Sequence, residues 1–147
     1  MMTRDILNSH RTAIGRSDIS APTKYLIGKG LVYGRVLDYG CGRGFEADYL
    51  DHDAWDPHWR PDTVLCPNAY DAILCSYVLN TLTKKYEAGI LRKLKGLLSK
   101  DGVAYITVRR NVKRARYTTK GTYQRNVVLN LPVVTENSDF CTYQLRK

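Results

Sequence analysis

The sequence predicts a mixed α/β domain whose sheet is mostly parallel and ends in an antiparallel hairpin. Three observations predict it. Short apolar runs at 35–39, 70–76 and 103–108 alternate with segments of helical periodicity, as strands do when helical crossovers return them to one sheet. A glycine-rich turn, GCGRG at 40–44, follows the first run. The pieces NVVLNL and FCTYQLR, separated by PVVTENSD, close the chain with no helical pattern between them, and they read as the hairpin.

With 147 residues, 44% of them hydrophobic, the chain can build one core but hardly two. We therefore read one domain over residues 1–147: an N-terminal arm and short helix at 1–30, a ligand-binding core at 31–110, and a basic loop with the terminal hairpin at 111–147. No run is long and apolar enough to span a bilayer, and MMTRDILNSHRTAIGR lacks the apolar centre of a secretory signal. No membrane association and a cytoplasmic location are the expectations. Cys41, Cys66, Cys75 and Cys141 form no CxxC pair, and His10, His52 and His58 complete no zinc pattern, so neither a disulfide framework nor a metal site is indicated. Cys75 and Cys141 read as small core residues.

Residues 1–19 are polar and weakly patterned. Ser20 is a candidate helix cap, Pro22 suits a first turn, and Gly28 and Gly30 supply a stop, which predicts a helix near 21–29. RVLDY at 35–39 is the first strand, the glycine turn follows it, and FEADYL forms the next helix. A second strand around 54–56 ends at Pro57, and PHWRPDTVLCPN leaves little room for a further helix and strand. The sheet is thus expected to be shortened between its second and fourth strands. YDAILCS at 70–76 is continuously apolar in the manner of a strand covered on both faces. Thr83 is the expected cap of the helix in KKYEAGILRKLKGLLSK, where Tyr86, Ile90, Leu91, Leu94, Leu97 and Leu98 share a face, and Asp101 with Gly102 is its expected end. VAYITV at 103–108 is the last parallel strand.

The strongest chemical signal is DYGCGRG at 38–44, between a strand and a helix. Alternate glycines allow a tight turn and close approach of a ligand to the backbone. The spacing GxGxG differs from the GxGxxG that presents a pyrophosphate to a helix N-terminus, which makes a dinucleotide the weaker reading. Asp38, an acid at the strand end, suits an ammonium-bearing ligand better than one bearing phosphates.

These residues resemble the first motif of the class I S-adenosylmethionine-dependent methyltransferases, and the likeness extends over most of the chain. It implies a Rossmann-like sheet and S-adenosylmethionine as cofactor. By the same resemblance Asp38, Tyr39, Gly40, Cys41, Gly42 and Gly44 would wrap the methionine part, and Asp56, followed by Pro57, would meet the ribose hydroxyls. Ser76, Tyr77 and Val78 match the segment lining the pocket between cofactor and acceptor, and LLSKDGVAYITV resembles the family's approach to its fifth strand. HRTAIGR, SAP, DYGCGRG, WDP, YVLN and GTYQ together look like methyltransferases associated with DNA phosphorothioation systems. That likeness implies that Thr12 or Arg16 closes over the cofactor, an arginine being suited to its carboxylate.

Methyl transfer is an in-line displacement at a carbon already activated by the sulfonium, so alignment and exclusion of water are the protein's main tasks. Tyr77 and Asn80 are the candidate acceptor-side, catalytic residues. His10 and His58 are candidate bases by residue type alone. The place after the fourth strand reads CSYV rather than the (D/N/S)PP(Y/F/W) of exocyclic-amine DNA methyltransferases, and no cysteine follows a proline as in cytosine C5 enzymes. The methyl acceptor stays unassigned.

The net charge is +9, and the block that begins at Arg109 and ends at Arg125, RRNVKRARYTTKGTYQR, holds seven Lys or Arg and no acid. It is a candidate surface for nucleic acid or another anionic partner, with Tyr117 and Tyr123 available for stacking. Alternatively Gly121, Thr122 and Gln124 form an ordered turn over the pocket. The second functional reading is accordingly a non-catalytic nucleic-acid-binding module on a methyltransferase fold.

Overall fold

The computed structural model describes residues 18–147. Eight strands and three α-helices follow in the order α1 (Ala21–Gly28), β1 (Val36–Tyr39), α2 (Phe45–Leu50), β2 (Asp53–Trp55), β3 (Tyr70–Ser76), α3 (Glu87–Leu97), β4 (Leu98–Arg109), β5 (Arg116–Tyr117), β6 (Tyr123–Gln124), β7 (Val133–Glu136) and β8 (Phe140–Arg146). Six strands make one sheet in the order β2-β1-β3-β4-β8-β7, and β5 and β6 form a separate ribbon. The first four strands of the sheet run parallel, whereas β8 and β7 are antiparallel additions. The chain passes from β2 to β3 through residues 57–69 without an intervening helix or strand, as the proline-rich stretch predicts.

Both faces of the sheet are covered, which explains the unbroken apolar run of β3. Ile73 and Cys75 face the larger core with Leu94 and Leu97 of α3, while Ala72 and Leu74 face a smaller core with Leu26 of α1. Cys75 and Cys141 are buried thiols, as expected. Across β4 and β8, Thr107 and Thr142 stand in register and their hydroxyls bond at 2.8 Å, satisfying two buried polar groups with each other.

Helix α1 ends as predicted. Gly30 has φ 68, its N–H donates to the Ile27 carbonyl, and the Leu31 N–H donates to Leu26, a left-handed stop that satisfies two orphan acceptors. Its start differs. Ser20 occupies the cap position, but its hydroxyl donates to Thr23 Oγ1 at 3.1 Å rather than accepting a helix N–H. Glu46 of α2 accepts from the Ser20 N–H and from Thr23 Oγ1, so a contact from outside the helix organises this turn.

Three further expectations need correction. Thr83 takes the cap position of a 3₁₀ turn at Lys84–Tyr86 without a side-chain cap bond, and α3 begins only at Glu87. Helix α3 stops at Leu97, ahead of Asp101 and Gly102; Leu98 is already extended and paired with Tyr70. Gly102 belongs to β4, where a Cβ would lie 2.5 Å from the Tyr70 carbonyl oxygen, so its glycine serves a close strand approach rather than a helix stop. The hairpin is built from β7 and β8, not from NVVLNL. Asn137 Oδ1 accepts from the Asp139 and Phe140 N–H groups, and this local turn sets VVTE opposite FCTYQLR. In NVVLNL, Val127 and Leu129 are buried and Val128 is exposed. The strand-like alternation is genuine, but it seats side chains in the core without backbone pairing.

Candidate functional site

The parallel part of the sheet has one topological switch point. From β1 the chain moves outward to β2, and from β3 it moves the opposite way to β4, so the segments leaving β1 and β3 diverge. Open parallel sheets bind ligands in the crevice created there, beyond the carboxyl ends of the strands. The glycine turn 40–44 leaves β1 at this point, and Tyr77 and Val78 leave β3 beside it.

Asp38 and Tyr39 are the last two residues of β1, and they take opposite faces. Asp38 is buried, and with Asp56 it helps raise the nearby Cys41 thiol, which burial chiefly pushes up to about 12. Burial and then Asp38 also hold Cys75 at about 12. Neither thiol is a nucleophile at neutral pH. The Tyr39 ring stacks on Trp55 with centroids 4.7 Å apart inside the larger core. Only its backbone belongs to the site.

The glycine turn is packed by protein on both sides. Gly40 (φ 80) brings its Cα hydrogen against Val78, whose Cγ2 would lie 2.5 Å from a Cβ. Gly44 (φ 86) lies under the guanidinium of Arg60, which bonds the Arg43 carbonyl at 3.2 Å and both carboxylate oxygens of Asp48 at 2.8 and 2.6 Å. At these two positions the missing side chain makes room for neighbouring protein rather than directly for a ligand. A Gly40→Ala variant should lose about 2 kcal/mol in urea unfolding, from left-handed strain and displacement of Val78.

Asp56 follows β2 directly and is also buried. Its Oδ2 accepts from the Gly42 N–H at 2.9 Å, and its Oδ1 accepts from the N–H groups of His58 and Trp59 at 2.9 and 3.0 Å. Its main chain pairs with Arg60. The acid predicted to meet a ribose thus also ties the 56–60 loop to the glycine turn. Pro57 is exposed on the outside of that loop, as is His58. Arg60 was not singled out by sequence; its only signal there is a cation four residues after the acid.

On the opposite wall, Ser76 is half-buried at the end of β3 and Tyr77 has φ 60, an uncommon conformation for a bulky residue. Its N–H donates to the Thr107 carbonyl at 2.8 Å, which holds the bend in place. Asn80 lies deeper, 1% exposed, with its amide donating to Gln124 Oε1 at 3.2 Å. Arg109 Nη1 donates to the same oxygen at 3.4 Å. Asn80 therefore links the turn after β3 to the β5–β6 ribbon. Arg16, Thr12 and His10 lie outside the described residues.

No helix among the described residues is long and apolar enough to cross a membrane, and no group of three His, Cys, Asp or Glu there could hold a metal ion.

No family model matches the chain, and neither does any curated protein. Solved structures do match. The 1,6-didemethyltoxoflavin-N1-methyltransferase of Burkholderia thailandensis, solved with its namesake ligand and S-adenosylhomocysteine, superposes with a TM-score of 0.57 at 19% identity, over 84% of this chain and 76% of that one. An S-adenosylmethionine-dependent methyltransferase of Mesorhizobium loti gives 0.44 at 17% identity, over 68% and 62%. One from Archaeoglobus fulgidus gives 0.46 at 12% identity, over 76% and 56%. The first of these defines the fold: a Rossmann-like methyltransferase sheet with a terminal antiparallel hairpin.

Proposed function

We propose that the protein is an S-adenosylmethionine-dependent methyltransferase. The observation that carries this reading is the placement of Asp38 and the glycine turn at the switch point of the parallel sheet, with Gly40 packed against Val78 of the segment that leaves β3. The residues fit the cofactor: the buried acid suits its ammonium and sulfonium charges, and Gly42 at φ 58 lets the backbone approach it while the Gly40, Cys41 and Gly42 N–H groups are held by Trp55 and Asp56. Asp38 would hold the methionine end, with the backbone of residues 39–42 wrapping it and Ser76 on the far wall. Asp56 would reach the ribose diol with the remaining lone pairs of its carboxylate while keeping the loop closed. Arg16, on the arm, would meet the cofactor carboxylate.

When bound, the cofactor supplies an activated methyl carbon. This chain's own contribution is alignment: Tyr77, fixed by its bend, borders the space an acceptor must enter, and Asn80 positions the ribbon beside it. The finer likeness, to methyltransferases associated with DNA phosphorothioation, rests on the sequence motifs quoted above.

Calorimetric titration with S-adenosylmethionine and S-adenosylhomocysteine tests the reading. We expect saturable one-site binding and a loss of at least tenfold in affinity in Asp38→Ala, with unfolding still cooperative. A folded wild-type protein that binds neither compound would overturn it.

A further inference from the structure

The basic block departs from the fold's core, and six of its seven charges divide into two groups. Arg110 pairs with Glu136 at 2.6 Å, Arg125 pairs with Glu87 at 2.6 Å, and Arg109 bonds Asn111 and Gln124. Arg110 and Arg125 hold the block to the body, and Arg109 ties its two ends to each other. Lys113, Arg114 and Arg116 are exposed, and among the described residues no ion pair reaches them.

The same segment carries an aromatic face. Tyr117 and Tyr123 stand opposite each other in the ribbon with ring centroids 5.2 Å apart, and Tyr117 is 38% exposed. Thr118 and Thr122 close the tip through a backbone bond of 2.6 Å and a hydroxyl bond of 2.5 Å, around Gly121 at φ 79. The ribbon is anchored at its base: the Arg125 N–H donates to the Asn80 carbonyl at 3.0 Å, and Arg125 Nε donates to that of Leu82 at 2.6 Å. Cations and a stackable ring are thus presented on a short, anchored arm at the carboxyl edge of the sheet.

We infer that this ribbon binds single-stranded nucleic acid, with Lys113, Arg114 and Arg116 on phosphates and Tyr117 stacking on a base. Phosphate contacts supply affinity that falls with salt, and a ring that stacks on an unpaired base favours single strands over duplex. The inference does not depend on the cofactor reading, because binding is measured without cofactor.

The test is fluorescence anisotropy of a labelled twenty-nucleotide single strand, over a range of salt, with a duplex of the same sequence and inorganic polyphosphate as comparisons. Three phosphate contacts predict a slope of log affinity against log salt near −2, from about −0.7 per contact on a single strand. The triple variant Lys113→Ala/Arg114→Ala/Arg116→Ala should weaken binding by roughly thirtyfold or more and flatten that slope. Tyr117→Ala should weaken single-strand binding by about tenfold, within the range for loss of one stacked base, and leave polyphosphate binding unchanged. All three exchanged cations are on the surface, so circular dichroism should be unaltered. Absence of binding by the wild type, or binding that the triple variant retains, overturns the proposal. Equal binding to duplex and polyphosphate with no effect at Tyr117 also overturns it, leaving a general polyanion surface.

Discussion

Replacing Asp56 by alanine is expected to cost roughly 3 kcal/mol of stability in urea unfolding and to abolish cofactor titration together with it. The carboxylate accepts three backbone N–H bonds, from Gly42, His58 and Trp59. Bonds to a charged group contribute about 1.5–3 kcal/mol each, and water recovers part of this because His58 and Trp59 are exposed. The Gly42 bond matters most for function, since it fixes the turn that leaves β1. Asp56→Asn separates the contributions. Its single carbonyl oxygen can still accept from His58 and Trp59, but the amide presents a donor to the Gly42 N–H, so stability should recover in part and cofactor affinity should not. Equal stability of Asp56→Ala and wild type would show that the loop is held by other contacts.

The second large effect is expected at Glu87, the first residue of α3. Its carboxylate pairs with Arg125 at 2.6 Å, and the two side chains are only 14% and 10% exposed. Removing one member of such a pair leaves the other charge buried without compensation, which costs about 3–5 kcal/mol. We expect Glu87→Ala to lose about 3 kcal/mol and to speed tryptic cleavage within the ribbon, because Arg125 also anchors the ribbon through Leu82 and Asn80. Arg125→Ala combined with Glu87→Ala should be no worse than Glu87→Ala alone, since no buried charge then remains. Urea denaturation of the two variants and limited proteolysis check both statements.

The polar contacts behind these predictions were the part of the molecule least visible in the sequence. Asp56 stood out as an acid after a short strand, but its bonds to Gly42 join residues fourteen apart, and Glu87 and Arg125 are thirty-eight apart. Nothing in local composition announces such pairings. The same holds for Glu46, which organises the start of α1 from another helix, and for Arg60, which fills the space Gly44 leaves open.

Some features were local and therefore legible. The apolar runs of β1, β3 and β4, the 3.6-residue pattern of α3, the glycine stop of α1 and the glycine turn at 40–44 each follow from period or backbone freedom within a few residues. Those elements and their alternation determined the α/β class and the position of the candidate site. The tertiary structure alone decided which apolar segment completes the sheet. NVVLNL and VVTE are both short runs that carry a β-branched pair, but the Asn137 turn brings the second into register with β8. It also decided which of the basic residues are used inside and which face outward, because that depends on the distance to Glu87 and Glu136 and not on the order of residues in the block.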